Sequence, residues 1–259
     1  MRIALGVEYD GSGFCGWQFQ EGVRTVQDCV EQGISNVADH PVRVVCAGRT
    51  DTGVHALCQV IHFDTEVERT DRSWVFGVTA NIPADVTILW AKHVNDEFHA
   101  RFSAVRRRYR YVILNRAVRP TFLSARVCWD YRPLDVDRMK QAAAHLRGEH
   151  NFDSYRARAC QAKSPVKTIY TLDIQRQDDL IIIDVEANAF LHHMIRNIAG
   201  VLMAIGAGEK PVDWAQEVLE ARDRTAGGVT ASPNGLYFTD VTYPEIFDLP
   251  HRSETRMVW

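Results

Sequence analysis

The sequence predicts an α+β fold made of two β-α-β-β-α-β units. Their strands are expected to join into one curved, mainly antiparallel sheet, with helices on one face and a central cleft between the halves. Two observations carry this. Segments of strand-like and helix-like period follow one another in the order β-α-β-β-α-β through the first part of the chain, and the same order recurs in the second. A duplicated split β-α-β unit is the arrangement that fits such a repeat.

The elements follow in order. Arg2–Tyr9 alternates as a strand and stops at Asp10-Gly-Ser-Gly13. Thr25–Ala38 places Val26, Cys29, Val30, Ile34 and Val37 on one helical face. Val42–Cys46 and Cys58–Phe63 read as strands, Arg72–Asn81 as a helix ended by Ile82-Pro83, and Val86–Val94 as a strand. The second round begins with Arg107–Leu114, rich in Tyr, Val and Ile. A helix over Asp135–Leu146 follows, then a hairpin of Val166–Gln175 and Leu180–Glu186. Phe190–Ile205 carries Phe190, Met194, Ile198 and Leu202 at steps of four, a helical stripe. Val212–Glu220 reads as an added helix and Leu236–Val241 as the closing strand. The two ferredoxin-like units are expected at 1–103 and 104–245, with an irregular tail at 246–259. The halves share a pattern and no evident residue identity.

Composition narrows the class. The 259 residues are 46% hydrophobic and 24% charged, as in ordinary globular proteins. Glu8 interrupts the apolar start, so no signal or transit peptide is read there. The longest apolar run, Ile198 to Ala207, covers roughly ten residues and is too short to span a bilayer. A cytoplasmic location without membrane attachment is expected. The six cysteines show no C-x-x-C pair and no zinc spacing, and are expected to stay reduced. The net charge of −3 does not itself suggest a polyanion partner, but its distribution does. Arg101, Arg106, Arg107, Arg108 and Arg110 form one basic stripe, and Arg156, Arg158, Lys163 and Lys167 a second group. Such stripes bind nucleic acid in otherwise acidic proteins, or form solvated strand edges.

The most chemically loaded segment is Cys46-Ala-Gly-Arg-Thr-Asp-Thr-Gly-Val-His-Ala56, a turn between two strand-like runs. A plain turn needs Gly, Asn or Asp, and a turn aspartate ordinarily bonds its own backbone. Here Arg49 stands two residues from Asp51, with Gly48 and Gly53 on either side. The arrangement presents one carboxylate at a fixed place beside a cation that favours its ionised form. A positioned carboxylate can act as a nucleophile.

This segment closely resembles the signature of the tRNA pseudouridine synthase A family. The resemblance runs over nearly the whole chain. It takes in Glu8-Tyr-Asp-Gly-Ser-Gly-Phe-Cys-Gly-Trp17, Phe98-His-Ala-Arg-Phe-Ser103, Arg107-Arg-Tyr-Arg-Tyr111, Asn188-Ala-Phe-Leu-His-His-Met-Ile-Arg-Asn197 and Gly235-Leu-Tyr-Phe238, in the family's order. No key position departs from the pattern. The resemblance implies the pseudouridine synthase fold and isomerisation of uridine to pseudouridine at tRNA positions 38, 39 and 40 in the anticodon arm. It also implies a homodimer and no cofactor or metal.

Residue by residue, the resemblance makes Asp51 the nucleophile, acting on a flipped-out uridine. It leaves open whether Asp51 adds to the sugar, adds to the uracil or assists a glycal route. It gives Arg49 the task of holding the flipped base, which suits a guanidinium that can stack and contact phosphate. Tyr109 would stack on the uracil, whereas Tyr111 on the same strand face is read as packing. Arg196, which helical period alone would place on the surface, would pair with Asp51. Leu236 would floor the uracil pocket. The RNA contacts are expected from Phe98, His99, Arg101, Phe102, Arg107, Arg108, Arg156, Arg158 and Lys163.

Two other readings compete. One keeps the basic stripes and makes Asp51 structural, giving an RNA-binding module. The other makes the chain a metal-dependent hydrolase through His192 and His193. Neighbouring residues on a helix point about 100° apart and do not readily share one metal, and no carboxylate–histidine ligand spacing accompanies them. His55 is expected to make a structural hydrogen bond.

Overall fold

The computed structural model describes residues 1–250. The chain forms two compact units, Met1–Arg106 with the segment from Tyr237 onward, and Arg107–Leu236. Both are mixed α+β with mainly antiparallel pairing, as the sequence predicts. No helix among the described residues is long and apolar enough to cross a membrane.

The first unit follows the expected element order. It comprises β1 (Arg2–Tyr9), α1 (Val26–Ala38), β2 (Val45–Cys46), β3 (His55–Asp64), α2 (Asp71–Ala80) and β4 (Val86–Val94). β1 is the central strand, antiparallel to β4 on one side and β3 on the other, and β2 lies antiparallel on β3. This is the strand order of a split β-α-β unit. Ile3, Leu5 and Val7 point to one face and are fully buried. Phe63, opposite Ile3, meets Trp74 of α2 edge-on at 5.2 Å, which fixes that face as the helix-covered one. Full burial of one such side chain contributes about 1.5–3 kcal/mol.

β2 is shorter than the expected Val42–Cys46 strand. The Val42 N–H donates to Ser35 Oγ and the Val44 N–H to the buried Glu31 carboxylate. Arg43 also pairs with Glu31, at 2.6 Å. These side chains of α1 take the backbone donors that a strand would have offered to a neighbour. β2 therefore meets β3 only at His62 and Ile61.

The closing strand, β10 (Leu236–Thr242), departs from its expected place. It was expected to end the second unit, yet only Leu236 belongs there. Tyr237 and Phe238 run parallel to β3 at His55 and Ala56, the part of that strand that short β2 leaves open. Satisfying a sheet edge is reason enough for the exchange. Up to residue 250 the irregular segment that follows is held against the first unit. Phe247 packs 5.2 Å from Phe98, and Asp248 pairs with Lys92 at 2.6 Å. The rest of the expected tail, with Trp259, lies outside the described residues.

The second unit contains β5 (Arg106–Asn115), β6 (Cys128–Asp130), α3 (Val136–Ala144), β7 (Gly148–Asn151), β8 (Val166–Gln177), β9 (Leu180–Ala187), α4 (Met194–Gly206) and α5 (Trp214–Ala221). β5, β9, β8 and β7 are successive antiparallel neighbours, and β6 runs parallel to β5. β6 and β7 were not read from sequence, being three and four residues long with no alternation to detect. α4 starts at Met194 and not at Phe190, because His193 takes a left-handed backbone with φ of 62°. Phe190 continued the apolar spacing for another reason, since its ring packs edge-on against Tyr109 at 5.0 Å.

His62 of β3 offers a test of the first unit's packing. Its Nδ1 accepts the Ala100 N–H at 3.1 Å, so that nitrogen must be unprotonated. Burial foremost, then Arg2 and His99, lowers its pKa to about 4. An unfolded histidine titrates near 6.5. The fold therefore has the full benefit of the neutral ring above pH 6.5 and loses it as the pH falls towards 4. His62→Gln should flatten the dependence of the urea midpoint on pH across that window. Equal slopes in the two proteins would count against this assignment.

Candidate active site

The loop from Ala47 to Val54 is fastened at every few residues within the first unit. The Ala47 N–H donates to Val60 O at 2.8 Å. The fully buried Gln59 side chain clamps Gly48, accepting from its N–H and donating to its carbonyl. The hydroxyls of Thr50 and Tyr9 share a hydrogen bond of 2.7 Å, and Thr50 O accepts from Trp17 N. Val54 N–H reaches back to Asp51 O at 3.1 Å, and Gly53 sits at φ of 79°. That is a β-turn with a left-handed third residue, where glycine is favoured.

Behind the loop stands the Glu8–Trp17 segment. Gly16 is left-handed at φ of 86°, and a Cβ there would lie 2.8 Å from Thr50 O and 3.2 Å from the backbone of Asp51 and Thr52. A Cβ on Gly11 would lie 1.9 Å from Val54 O. These two glycines let one backbone lie flush against another, and so set the position of Asp51. His55 accepts the Gly11 N–H at its Nδ1 and stacks on Tyr237 at 4.7 Å, the structural role expected of it. Sequence reasoning missed Tyr9, Gly16 and Gln59 as supports. The run of three glycines between Gly11 and Gly16 was their available signal.

Asp51 is half-buried and Arg49 exposed. Cys46, at the start of the loop, is another potential nucleophile. Burial pushes its thiol up to about 12, although Arg49 and Arg101 pull the other way. It therefore remains a thiol at neutral pH and is a poor nucleophile.

In the second unit Tyr109 is buried on β5 against Phe190. Tyr111 is fully buried and donates to Ser232 O at 2.7 Å, in keeping with its packing role. Arg196 is half-buried on α4 rather than on the open surface. Its Nε donates to Ala231 O at 2.8 Å, and its own carbonyl accepts from Ala231 N at 3.1 Å. The segment around Ala231 also lies flush on α4 at Gly200, where a Cβ would meet Val229 O at 1.9 Å. Leu236 is buried at the start of β10. Tyr109, Arg196 and Leu236 are therefore all held by packing or by backbone bonds.

The expected RNA contacts need correction at several positions. Phe98 is fully buried among Tyr243, Phe247 and His62, so it serves the core and offers no ring to a base. Arg108 lies opposite Glu186 in the ladder and pairs with it at 2.9 Å. Arg110, two residues on, pairs likewise with Asp184 at 2.8 Å. Two arginines of the apparent basic stripe thus belong to a cross-strand ion-pair ladder. Arg156 pairs with Asp153 at 2.9 Å, and Arg107 donates to Asn188 O. Phe102, by contrast, is 76% exposed and stacks on His99 at 4.3 Å, with Arg101 beside it. Arg158 and Lys163 are exposed and make no ion pair among the described residues. The His192 and His193 rings lie 4.0 Å apart on the segment before α4, so the argument that a helix separates them does not apply.

Comparison with known proteins gives this arrangement a family. The profile of the family described as tRNA pseudouridine synthase matches residues 6–103 and 142–244. The chain is 61% identical to the tRNA pseudouridine synthase A of Nitrosococcus oceani over 259 residues, covering 100% of both chains. It is 58% identical to the protein of that name from Pseudomonas aeruginosa, over 97% of this chain and 88% of the other. The Coxiella burnetii protein of that name is 56% identical over 96% and 95% of the two chains. The chain belongs to the tRNA pseudouridine synthase family.

Proposed function

We propose that this protein isomerises uridine to pseudouridine at positions 38, 39 and 40 in the anticodon arm of tRNA, with Asp51 as the nucleophile. The observation that carries the assignment of Asp51 is its loop. A half-buried carboxylate stands on a backbone pinned by Tyr9, Gly16, Trp17 and Gln59, which is the preorganisation a nucleophile needs. The reaction breaks the C1′–N1 bond of uridine, turns the uracil and joins C5 to C1′, and the proton that C5 then loses is balanced by the one that N1 gains. The carboxylate assists the break and is released when the new bond forms. Extrusion of the base gives the carboxylate access to a nucleotide that would otherwise be stacked.

Tyr109 and Leu236 hold the uracil in this reading, and Arg196 supports the charge of Asp51. Arg49, exposed on the loop, keeps the base out of the helix. Arg101 and Phe102 of the first unit offer a cation and an exposed ring to the RNA, and Arg158 and Lys163 of the second offer exposed cations. The enzyme works as a cytoplasmic homodimer. The test is to map pseudouridine in tRNA from cells lacking the protein. Loss at positions 38–40, restored by the wild-type chain, is the expected result. Unchanged modification at those positions would remove the assignment.

A further inference from the structure

A second feature of the Arg107–Leu236 unit is not used by the chemistry above. A pocket of roughly 370 Å³ is lined by Ala157, Arg158, His193, Arg224, Thr225, Gly227 and Thr230. That volume falls within the range of about 300–1,000 Å³ that small-ligand sites occupy. Two of its lining residues are arginines, and none is a carboxylate.

Arg224 is the informative one. Its Nη2 donates to Asn197 Oδ1 at 3.1 Å, to Gly228 O at 3.0 Å and to Thr230 Oγ1 at 3.0 Å. Asn197 is itself buried and fixed, donating to Tyr155 O and accepting from the Thr230 hydroxyl. The guanidinium is therefore held rigidly, and all three acceptors are neutral. Other arginines of this unit are matched to carboxylates, Arg108 to Glu186, Arg110 to Asp184, Arg132 to Asp130 and Arg147 to Asp173. Arg224 has no carboxylate partner among the described residues. Gly227 carries no side chain to press on its Nη1, where a Cβ would come within 3.3 Å.

Arg158 adds a second charge at the same pocket. The carboxylate that senses it, Asp223, is fully exposed and accepts the Thr225 N–H at 2.8 Å. A rigid, half-buried cation and an exposed second cation lining one pocket make an anion site. With Nη2 engaged, the Nη1 end of Arg224 can still give a phosphate oxygen a charge-assisted hydrogen bond.

We propose that this pocket binds a backbone phosphate of the RNA substrate, with Arg224 as the fixed cation and Arg158 as the second. This rests on the proposed action on tRNA. It assigns that reading a phosphate contact built on residues outside the two basic stripes, apart from Arg158. Phosphate contacts set the register of a nucleic acid on a protein without reading its sequence.

The test uses the full-length protein and a tRNA transcript carrying uridine at the target positions. Wild-type activity comes first, since a wild-type protein that forms no pseudouridine refutes the function and not the pocket. Arg158→Glu is expected to raise KM for tRNA about tenfold and to reduce the slope of log affinity against log salt by about one. Arg158→Lys should restore most of both. Arg224→Lys keeps the charge but releases it from the place that Asn197, Gly228 and Thr230 fix, and should raise KM several-fold with the loss falling on KM rather than kcat. A lowered melting temperature in Arg224→Lys would leave Arg158→Glu as the deciding variant. Wild-type KM and salt slope in Arg158→Glu would overturn the proposal.

Discussion

Asp51→Asn is expected to form no pseudouridine above background while binding tRNA within about tenfold of wild type. The change replaces one oxygen with an amide nitrogen of nearly the same size. The loop is pinned by bonds that a change at the Asp51 side chain leaves in place. Its bonds run from the backbone of Ala47, Gly48, Thr50, Asp51 and Val54, and from the Thr50 hydroxyl. The variant should therefore fold and bind, but lack the anion that attacks. An amide is far too weak a nucleophile to replace it. Pseudouridine can be counted in purified tRNA after single-turnover incubation, with affinity measured separately. Persistent product would remove Asp51 from the chemistry and place the reacting group elsewhere in the chain.

Gly16→Ala is expected to cost on the order of 100-fold in kcat with the fold retained. A misplacement of about 1 Å at a reacting group can have that effect. Gly16 sits at φ of 86°, where an L-residue is strained, and its new methyl would meet Thr50 O at 2.8 Å. The loop must move to admit it, and Asp51 moves with the loop. The contacts are local to one turn, so melting should shift modestly while kcat falls steeply. A Gly16→Ala enzyme of normal kcat would show that the loop tolerates displacement, and would weaken the case for preorganisation.

Much of this was legible in the sequence, for physical reasons that differ from element to element. The strands of the first unit were read within a few residues because their apolar alternation follows a face that α1 and α2 cover. The Asp51 loop was legible because a turn has little use for arginine, aspartate and two glycines together. What failed was whatever depended on a partner distant in sequence. Arg108 and Arg110 looked like a surface for RNA until β9 supplied Glu186 and Asp184 opposite them. Phe98 looked like a stacking ring until Tyr243 and Phe247 enclosed it. Phe190 extended a helical spacing because it packs on Tyr109, although the helix begins four residues later. Short β6 and β7 had no period to read, and the role of Gly16 could not be known before the Asp51 loop was seen against it.

The parallel pairing of Tyr237 and Phe238 with His55 and Ala56 also bears on how the chain is made. A ribosome completes the Asp51 loop early, but the strand that supports its far end emerges roughly 180 residues later. At about 5–20 residues per second that interval is on the order of ten seconds to half a minute. During it His55 lacks the Tyr237 ring on which it finally stacks. The nascent first unit can collapse around β1, but His55 and Ala56, at the end of the Asp51 loop, lack their neighbouring strand until Tyr237 and Phe238 have emerged. A chain released early, short of Tyr237, would carry the whole Asp51 motif without the strand that supports it.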